Sequence, residues 1–307
     1  MAVSTGESAG RSARAPRPGR GIVLFVFASP GAIAFHLGPL TVRWYGILMA
    51  SAILVGFWLA QRRAVEEGLP ADELLRASQW AVVAGLVGAR IYEVIFNWDY
   101  YGRFPEKIIA VWEGGLAIHG GLIVGPLVGI LLARRWGVPI RRALDVIAPS
   151  MVLGQAIGRW GNFFNEEAFG APTDLPWKLY ISPDHRPPDL RAFEYFHPTF
   201  LYESLWDLLV FALLVWWVRR RVRGHPGAVF FSYIGLYSVG RFLIEGLRLD
   251  SFWVGSLRVP QLASVAGVLV AVGGLLWVMR MPPVDSAPPP AAATGRAPGT
   301  RGRRRPG

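Results

Sequence analysis

The stretch Gly158-Arg159-Trp160-Gly161-Asn162-Phe163-Phe164-Asn165-Glu166-Glu167-Ala168-Phe169-Gly170 packs a cation, two amides, two carboxylates and several glycines into one short segment. If a helix continues through it, Arg159, Asn162 and Glu166 fall at i, i+3 and i+7 on one face, while Gly158 and Gly161 allow close backbone approach. A guanidinium offers a planar fork of donors suited to a phosphodiester, and Asn162 adds a neutral donor. The same residues also read as a helix-end cap with an internal pair from Arg159 to Glu166 or Glu167.

Two further groups carry chemistry. His119 lies in Gly114-Gly115-Leu116-Ala117-Ile118-His119-Gly120-Gly121, and Gly125 and Gly129 follow at a spacing that predicts tight helix packing. A histidine is the side chain best suited to take a proton near neutral pH, although it also serves as a hydrogen-bonded link between helices. Arg241, Glu245 and Arg248 share a helical face at i, i+4 and i+7. A structural pair of Glu245 with Arg248 would leave Arg241 as the phosphate ligand. His197-Pro198-Thr199-Phe200-Leu201-Tyr202-Glu203 reads as a helix start with Pro198 in the first turn, in a supporting role.

Positioning these groups requires elements, and the composition says which. Of 307 residues, 52% are hydrophobic and 17% charged, and the apolar ones gather in runs able to cross a hydrocarbon core of roughly 30 Å. Seven spans are expected: Trp44 to Gln61, Leu74 to Phe96, Gly115 to Ala133, Ala143 to Trp160, Thr199 to Val218, Ala228 to Ile244 and Val259 to Met279. The fold class is therefore all-α, a polytopic membrane protein with about seven transmembrane helices. The net charge of +11 belongs mainly to short segments between spans, where arginines set topology beside an anionic membrane surface, so no nucleic-acid partner is expected. Arg62, Arg63, Arg134, Arg135, Arg141, Arg142, Arg219 to Arg223 and Arg301 to Arg305 fall on one side if the spans alternate, which predicts a cytoplasmic C-terminus. Arg11, Arg14, Arg17 and Arg20 do not fit. They precede a short apolar run, Ile22 to Phe35, readable as an extra segment, a re-entrant stretch or a signal-peptide-like start.

With that orientation Tyr45, Arg90, Tyr92, His119, Arg159, Asn162, His197, Tyr202, Glu203, Arg241, Glu245 and Arg248 all converge on the outer leaflet. An Arg at a helix centre costs about 2.5 to 3.5 kcal/mol on insertion scales, so each calls for a partner or a purpose; near helix ends, snorkelling to headgroups is the plain alternative. The chain has no cysteine, which excludes a disulfide, a thiolate metal site and a cysteine nucleophile of its own. Any thiol chemistry uses a substrate's cysteine. Residues 1–37 form a basic tail and short apolar segment, 38–281 the helical domain, and 282–307 a Pro/Ala/Arg-rich tail expected to be disordered and cytoplasmic. The outer connections Asn97 to Gly114 and Asn162 to Pro198 are candidates for substrate contact.

The stretch Gly158 to Gly170 resembles the signature of the bacterial prolipoprotein diacylglyceryl transferases, Gly-Arg-x-Gly-Asn-Phe-x-Asn-x-Glu-x-x-Gly, and matches each specified position. The resemblance extends to Arg43-Trp44-Tyr45-Gly46, His119-Gly120-Gly121, His197-Pro198 with Tyr202-Glu203, and Tyr237 through Arg248, in the family's order, over about Gly38 to Met279. It implies transfer of the sn-1,2-diacylglyceryl group from phosphatidylglycerol to the lipobox cysteine of prolipoprotein signal peptides, forming a thioether and releasing glycerol phosphate. It implies no cofactor or metal, a place in the inner membrane among membrane lipids, and a site towards the outer leaflet. By carry-over His119 would generate the thiolate, and Arg159 and Arg241 would bind the phosphate and stabilise its departure. Tyr45, Asn162, Glu167 and Gly170 match further functional positions, and Arg90, His197, Glu245 and Arg248 complete the expected substrate-binding set. After Gly88-Ala89-Arg90 the family usually has Gly-Tyr, whereas this chain has Ile91-Tyr92-Glu93, so no role is carried over to Tyr92.

A transporter or lipid flippase is the main alternative, since intramembrane Arg and His could line a pathway. The lack of an internal repeat and the outer-leaflet clustering count against it. An intramembrane protease would need a Gly-x-Ser-x-Gly elbow or paired membrane aspartates, and the spans carry neither; the pattern Gly6-Glu7-Ser8-Ala9-Gly10 falls in the N-terminal tail.

Overall fold

The computed structural model describes residues 25–249 and 253–284. The basic run Arg11 to Arg20 and the tail from Asp285 onward, with the expectations attached to them, lie outside the described residues.

Seven long helices form where the apolar runs predict them: α1 Trp44–Glu66, α2 Ala71–Phe96, α3 Ile118–Arg135, α4 Ile140–Asn165, α5 Thr199–Arg221, α6 Ala228–Glu245 and α7 Val259–Met279. Six of them, all but α4, are long and apolar enough to cross a membrane. The 26-residue α4 is long enough, but Arg141, Arg142, Asp145, Gln155 and Arg159 lower its hydropathy. Within α5 the segment Leu213–Val218 is π-helical. The chain is thus a mostly helical polytopic membrane protein.

Short strands frame the non-helical parts. β1 Phe27–Ala28 pairs in parallel with β4 Leu179–Tyr180, which pairs antiparallel with β5 Tyr195–Phe196. β2 Ile33–Leu37 and β3 Leu40–Arg43 form a hairpin, as do β6 Trp253–Val254 and β7 Leu257–Arg258. The described part of the run Ile22 to Phe35 carries strand and connecting chain and no helix. Ile33, Phe35 and Leu37 alternate at the strand period, and Gly38 turns the chain with φ 57°.

The described residues divide into two compact units. The first takes 25–53, 152–213, 233–249 and 253–271, and the second 54–151, 214–232 and 272–284. In the first, Phe163, Phe169, Leu179, Ile181, Phe196 and Phe200 form a buried core, and Trp44 stacks on Phe164 with ring centroids 4.8 Å apart. Ser204 Oγ donates to Ala156 O at 2.9 Å, tying α5 to α4. The Trp206 indole donates to Leu236 O at 2.9 Å and lies over Gly240, where a Cβ would stand 2.1 Å from Nε1. Only glycine lets α5 and α6 meet there.

In the second unit Ala60, Ala64, Leu69, Leu74, Ala77, Ala133, Val138, Ala143 and Val146 make the core. Small residues here replace bulky packing with backbone proximity, the usual route to helix association in lipid. The tight packing expected of the α3 glycines is present. A Cβ on Gly120 would stand 2.1 Å from Gly88 O, and one on Gly125 would be 3.0 Å from Ala81 O. Asp145 caps α6, its carboxylate accepting the N–H groups of Gly227 and Phe230 at 2.7 and 2.9 Å. Arg219 pairs with Glu67 at 3.1 Å.

Candidate active site

In the first unit three helices each bring a charge to one buried cluster. α4 supplies Arg159, α5 supplies Glu203 and α6 supplies Arg241 and Glu245, with Arg248 just beyond α6. One carboxylate oxygen of Glu203 lies 2.7 Å from the Arg159 guanidinium. The other lies 2.5 Å from Arg241 and 3.4 Å from Arg248. Glu245 lies 2.6 Å from Arg241 and 3.9 Å from Arg248. Arg159 also donates to Tyr237 Oη at 3.3 Å. Glu203 and Glu245 are 4% and 0% exposed, so these are not solvent-screened surface pairs. Three guanidinium groups face the carboxylates of Glu203 and Glu245, with a third buried acid, Asp207, beside them. A small cavity lined by Arg159, Glu203, Asp207, Tyr237 and Arg241 adjoins the cluster.

The structure redraws the end of α4. The helix stops at Asn165, and Glu166 turns into the left-handed region with φ 52°, so the expected face of Arg159, Asn162 and Glu166 does not form. Arg159 takes its acid from α5 and not from Glu166 or Glu167. Glu167 instead accepts from the Asn162 and Asn165 amides at 2.9 and 3.3 Å, and its N–H donates to Asn162 O at 3.0 Å. Gly170 has no room for a side chain, since a Cβ would lie 2.8 Å from His197 Cβ and 2.9 Å from Leu247 O. Its N–H donates to His197 O at 3.0 Å, and it bridges to Arg248, which ties the motif to the end of α6. Tyr45, at the start of α1, lies against Gly161, where a Cβ would stand 2.4 Å from the ring.

His197 precedes α5, and Pro198 is the residue flanking the helix start, one position earlier than expected. The His197 ring is 3.2 Å from Tyr202 Oη, which accepts from Trp177 at 2.9 Å. Burial holds the His197 imidazole below its ordinary pKa.

His119 and Arg90 belong to the second unit. His119 lies in the first turn of α3, exposed, its ring stacked on Tyr92 at 5.8 Å, and no side chain among the described residues hydrogen-bonds it. Arg90 is buried and fully engaged. Its guanidinium donates to Ile108 O at 2.9 Å, Gly114 O at 2.7 Å, Gly115 O at 2.6 Å and Lys107 O, and stacks on Tyr101. It fastens the loop after α2.

Sequence reasoning gave Glu203 only a supporting place and passed over Asp207 and Arg258. Glu203 and Asp207 are acids one helical turn apart in an apolar span, a signal that such groups must face cations. Arg258 caps the end of α6 by donating to Glu245 O and Arg248 O.

Fold and site together define a polytopic membrane protein that gathers paired guanidinium groups on a buried anion, beside a glycine-rich turn carrying a carboxylate and an amide. A family model described as prolipoprotein diacylglyceryl transferase matches residues 32–277. A phosphatidylglycerol–prolipoprotein diacylglyceryl transferase of Nostoc sp. is 50% identical over 88% of this chain and 98% of its own length. Proteins of the same name are similar at 50% identity in Trichormus variabilis, over 86% of this chain and 96% of theirs, and at 48% in Gloeobacter violaceus, over 85% and 98%. The chain belongs to the prolipoprotein diacylglyceryl transferase family.

Proposed function

We propose that this protein transfers the sn-1,2-diacylglyceryl group of phosphatidylglycerol to the lipobox cysteine thiol of prolipoproteins, the first step of lipoprotein maturation. The reading rests on its family and on one observation above others: Arg159 and Arg241 are held on opposite oxygens of a single buried carboxylate, Glu203. Two guanidinium groups spaced by one small oxyanion are spaced for another, the lipid phosphate.

The chemistry explains the charge. The thiolate sulfur attacks the glyceryl carbon that bears the phosphate ester, the carbon–oxygen bond breaks with its electron pair going to oxygen, and a thioether forms. The phosphodiester enters with one negative charge and leaves as glycerol phosphate with two. Fixed cations facing that second charge lower the barrier most where water is scarce. Arg159 and Arg241 take this role. Glu245 holds Arg241 in place, Arg248 shares Glu203 and Glu245 with it, and Asn162, Glu167, Gly170, Tyr45 and His197 shape the surface on which substrate rests. His119 accepts the thiol proton, a role carried by its residue type and motif and supported by its exposed ring, which no side chain among the described residues hydrogen-bonds. Arg90 serves the loop it fastens.

The enzyme lies in the bacterial cytoplasmic membrane with its C-terminus cytoplasmic and its site towards the outer leaflet, where exported precursors present their cysteine. Residues 38–281 are the catalytic domain. Purified protein in detergent is given phosphatidylglycerol labelled in its diacylglycerol part and a lipobox peptide with cysteine or serine. Label on the cysteine peptide alone, with glycerol phosphate released, is the expected result; no label on either overturns the proposal.

A further inference from the structure

Glu167 is flanked on both sides by left-handed backbone that does not come from glycine, with φ 52° at Glu166 and 57° at Ala168. L-residues enter this region at a cost, and a strained pair persists only where surrounding contacts over-determine it. Ala168 is retained by Thr199, whose hydroxyl donates to Ala168 O. The hold on Glu166 comes from farther along the chain. Its carboxylate accepts the Ser182 N–H at 3.1 Å and the Ser182 hydroxyl, and lies 2.9 Å from His185 Nδ1. Ser182 Oγ and His185 Nδ1 are 2.8 Å apart, closing the triangle. Glu166 is 9% exposed although the neighbouring Glu167 faces outward. Glu166, Ser182 and His185 stand outside the arginine cluster, and Glu166 fills a motif position that carries no specified residue type.

We propose that Glu166, Ser182 and His185 form a clamp that holds the reversed turn after α4 and thereby positions Glu167, and the Asn162 amide bonded to it, for the substrate. They are positioning residues, acting through Glu167 without touching the reacting atoms. The inference rests on the reading that Asn162 and Glu167 serve the substrate. Glutamate or alanine at 166 needs the clamp; glycine, which enters the left-handed region without a Cβ penalty, does not.

That asymmetry supplies the test, run on the full-length protein in the transfer assay with thermal midpoints measured alongside. Glu166→Ala and Glu166→Gly both remove the clamp, so both lower Tm. Glu166→Ala is expected to lower kcat about tenfold with KM for phosphatidylglycerol unchanged, whereas Glu166→Gly keeps kcat within about twofold of the parent. Ser182→Ala lowers kcat in the parent and has no further effect in the Glu166→Gly background. Equal loss of kcat in Glu166→Ala and Glu166→Gly, or the same effect of Ser182→Ala in both backgrounds, overturns the clamp. Full kcat in Glu167→Gln overturns the underlying reading of Glu167 instead, and that variant leaves the clamp intact.

Discussion

Replacing Arg159 by alanine should abolish transfer while leaving the protein folded, and the cluster geometry says why the two effects separate. Arg159 is one of three cations on Glu203. Without it the carboxylate keeps Arg241 at 2.5 Å and Arg248 at 3.4 Å. The loss of stability therefore stays below the about 3–5 kcal/mol that follows when a buried charge loses its only partner. Catalysis has no such reserve, because each guanidinium faces its own share of the second negative charge. Removing one fixed donor to a developing oxyanion costs about 10²–10³ in kcat, or about 2.7–4 kcal/mol. Arg159→Lys keeps the charge but not the fork that reaches Glu203 at 2.7 Å and Tyr237 at 3.3 Å together. One charge-assisted hydrogen bond is then missing, worth about 1.5–3 kcal/mol, for a loss of about 10- to 150-fold. The assay follows label from phosphatidylglycerol to a lipobox peptide at saturating lipid, with a thermal melt of each detergent-purified variant. A folded Arg159→Ala protein that retains a tenth or more of the parental kcat refutes the reasoning.

Arg241→Ala removes the 2.6 Å partner of fully buried Glu245 as well as a partner of Glu203, so its melting temperature should fall further than that of Arg159→Ala, by about 3 kcal/mol of stability. Gly120→Ala drives a methyl to 2.1 Å from Gly88 O and should cost about 1–3 kcal/mol or more of overpacking, read as lost thermal stability, whereas Gly121→Ala, at 3.3 Å from Gly85 O, should be milder. Burial lowers the His197 pKa, so its contribution to stability is present above the ordinary value of 6.5 and lost as pH falls from there through the folded value. Thermal midpoints measured from pH 8 to pH 5 should decline at the acid end, and His197→Gln should flatten that decline. For His119 the readout is kinetic: His119→Gln should lose transfer while its thermal midpoint holds, and full kcat in the folded variant would remove its role as thiol base.

Six of the seven long helices were legible because hydropathy acts over whole segments, and a long apolar run leaves the backbone little choice in lipid; α4 carries a weaker run. That Arg159, Glu203, Arg241, Glu245 and Arg248 meet in one cluster was legible for a similar reason, since each is costly in or beside a span and must be answered. Detail at helix ends was not. Nothing in Asn165-Glu166-Glu167 announces that α4 stops, because the reversal at Glu166 is enforced by Ser182 and His185 and not by a local glycine or proline. Charge partners were equally hidden. The face shared by Arg241, Glu245 and Arg248 follows from helical spacing, but spacing within one helix is blind to Glu203 on another, so the hub of the cluster was read as an accessory. Arg90 was taken for a ligand because its type and depth fit one. Only the loop that closes over it, with four carbonyl oxygens, gives it another employment.

Glu203 also bears on how the chain enters the membrane. α6 carries its own neutralising pair, Arg241 with Glu245 one turn away, and can cross the bilayer with its charge largely matched. α4 cannot, because the acid nearest Arg159 belongs to α5, which leaves the ribosome later. α4 is also the helix that falls short of the hydropathy needed to span alone. A chain cut between the two would hold an unmatched guanidinium in the least apolar of the long helices, so α4 draws the charge that seats it in lipid from its successor.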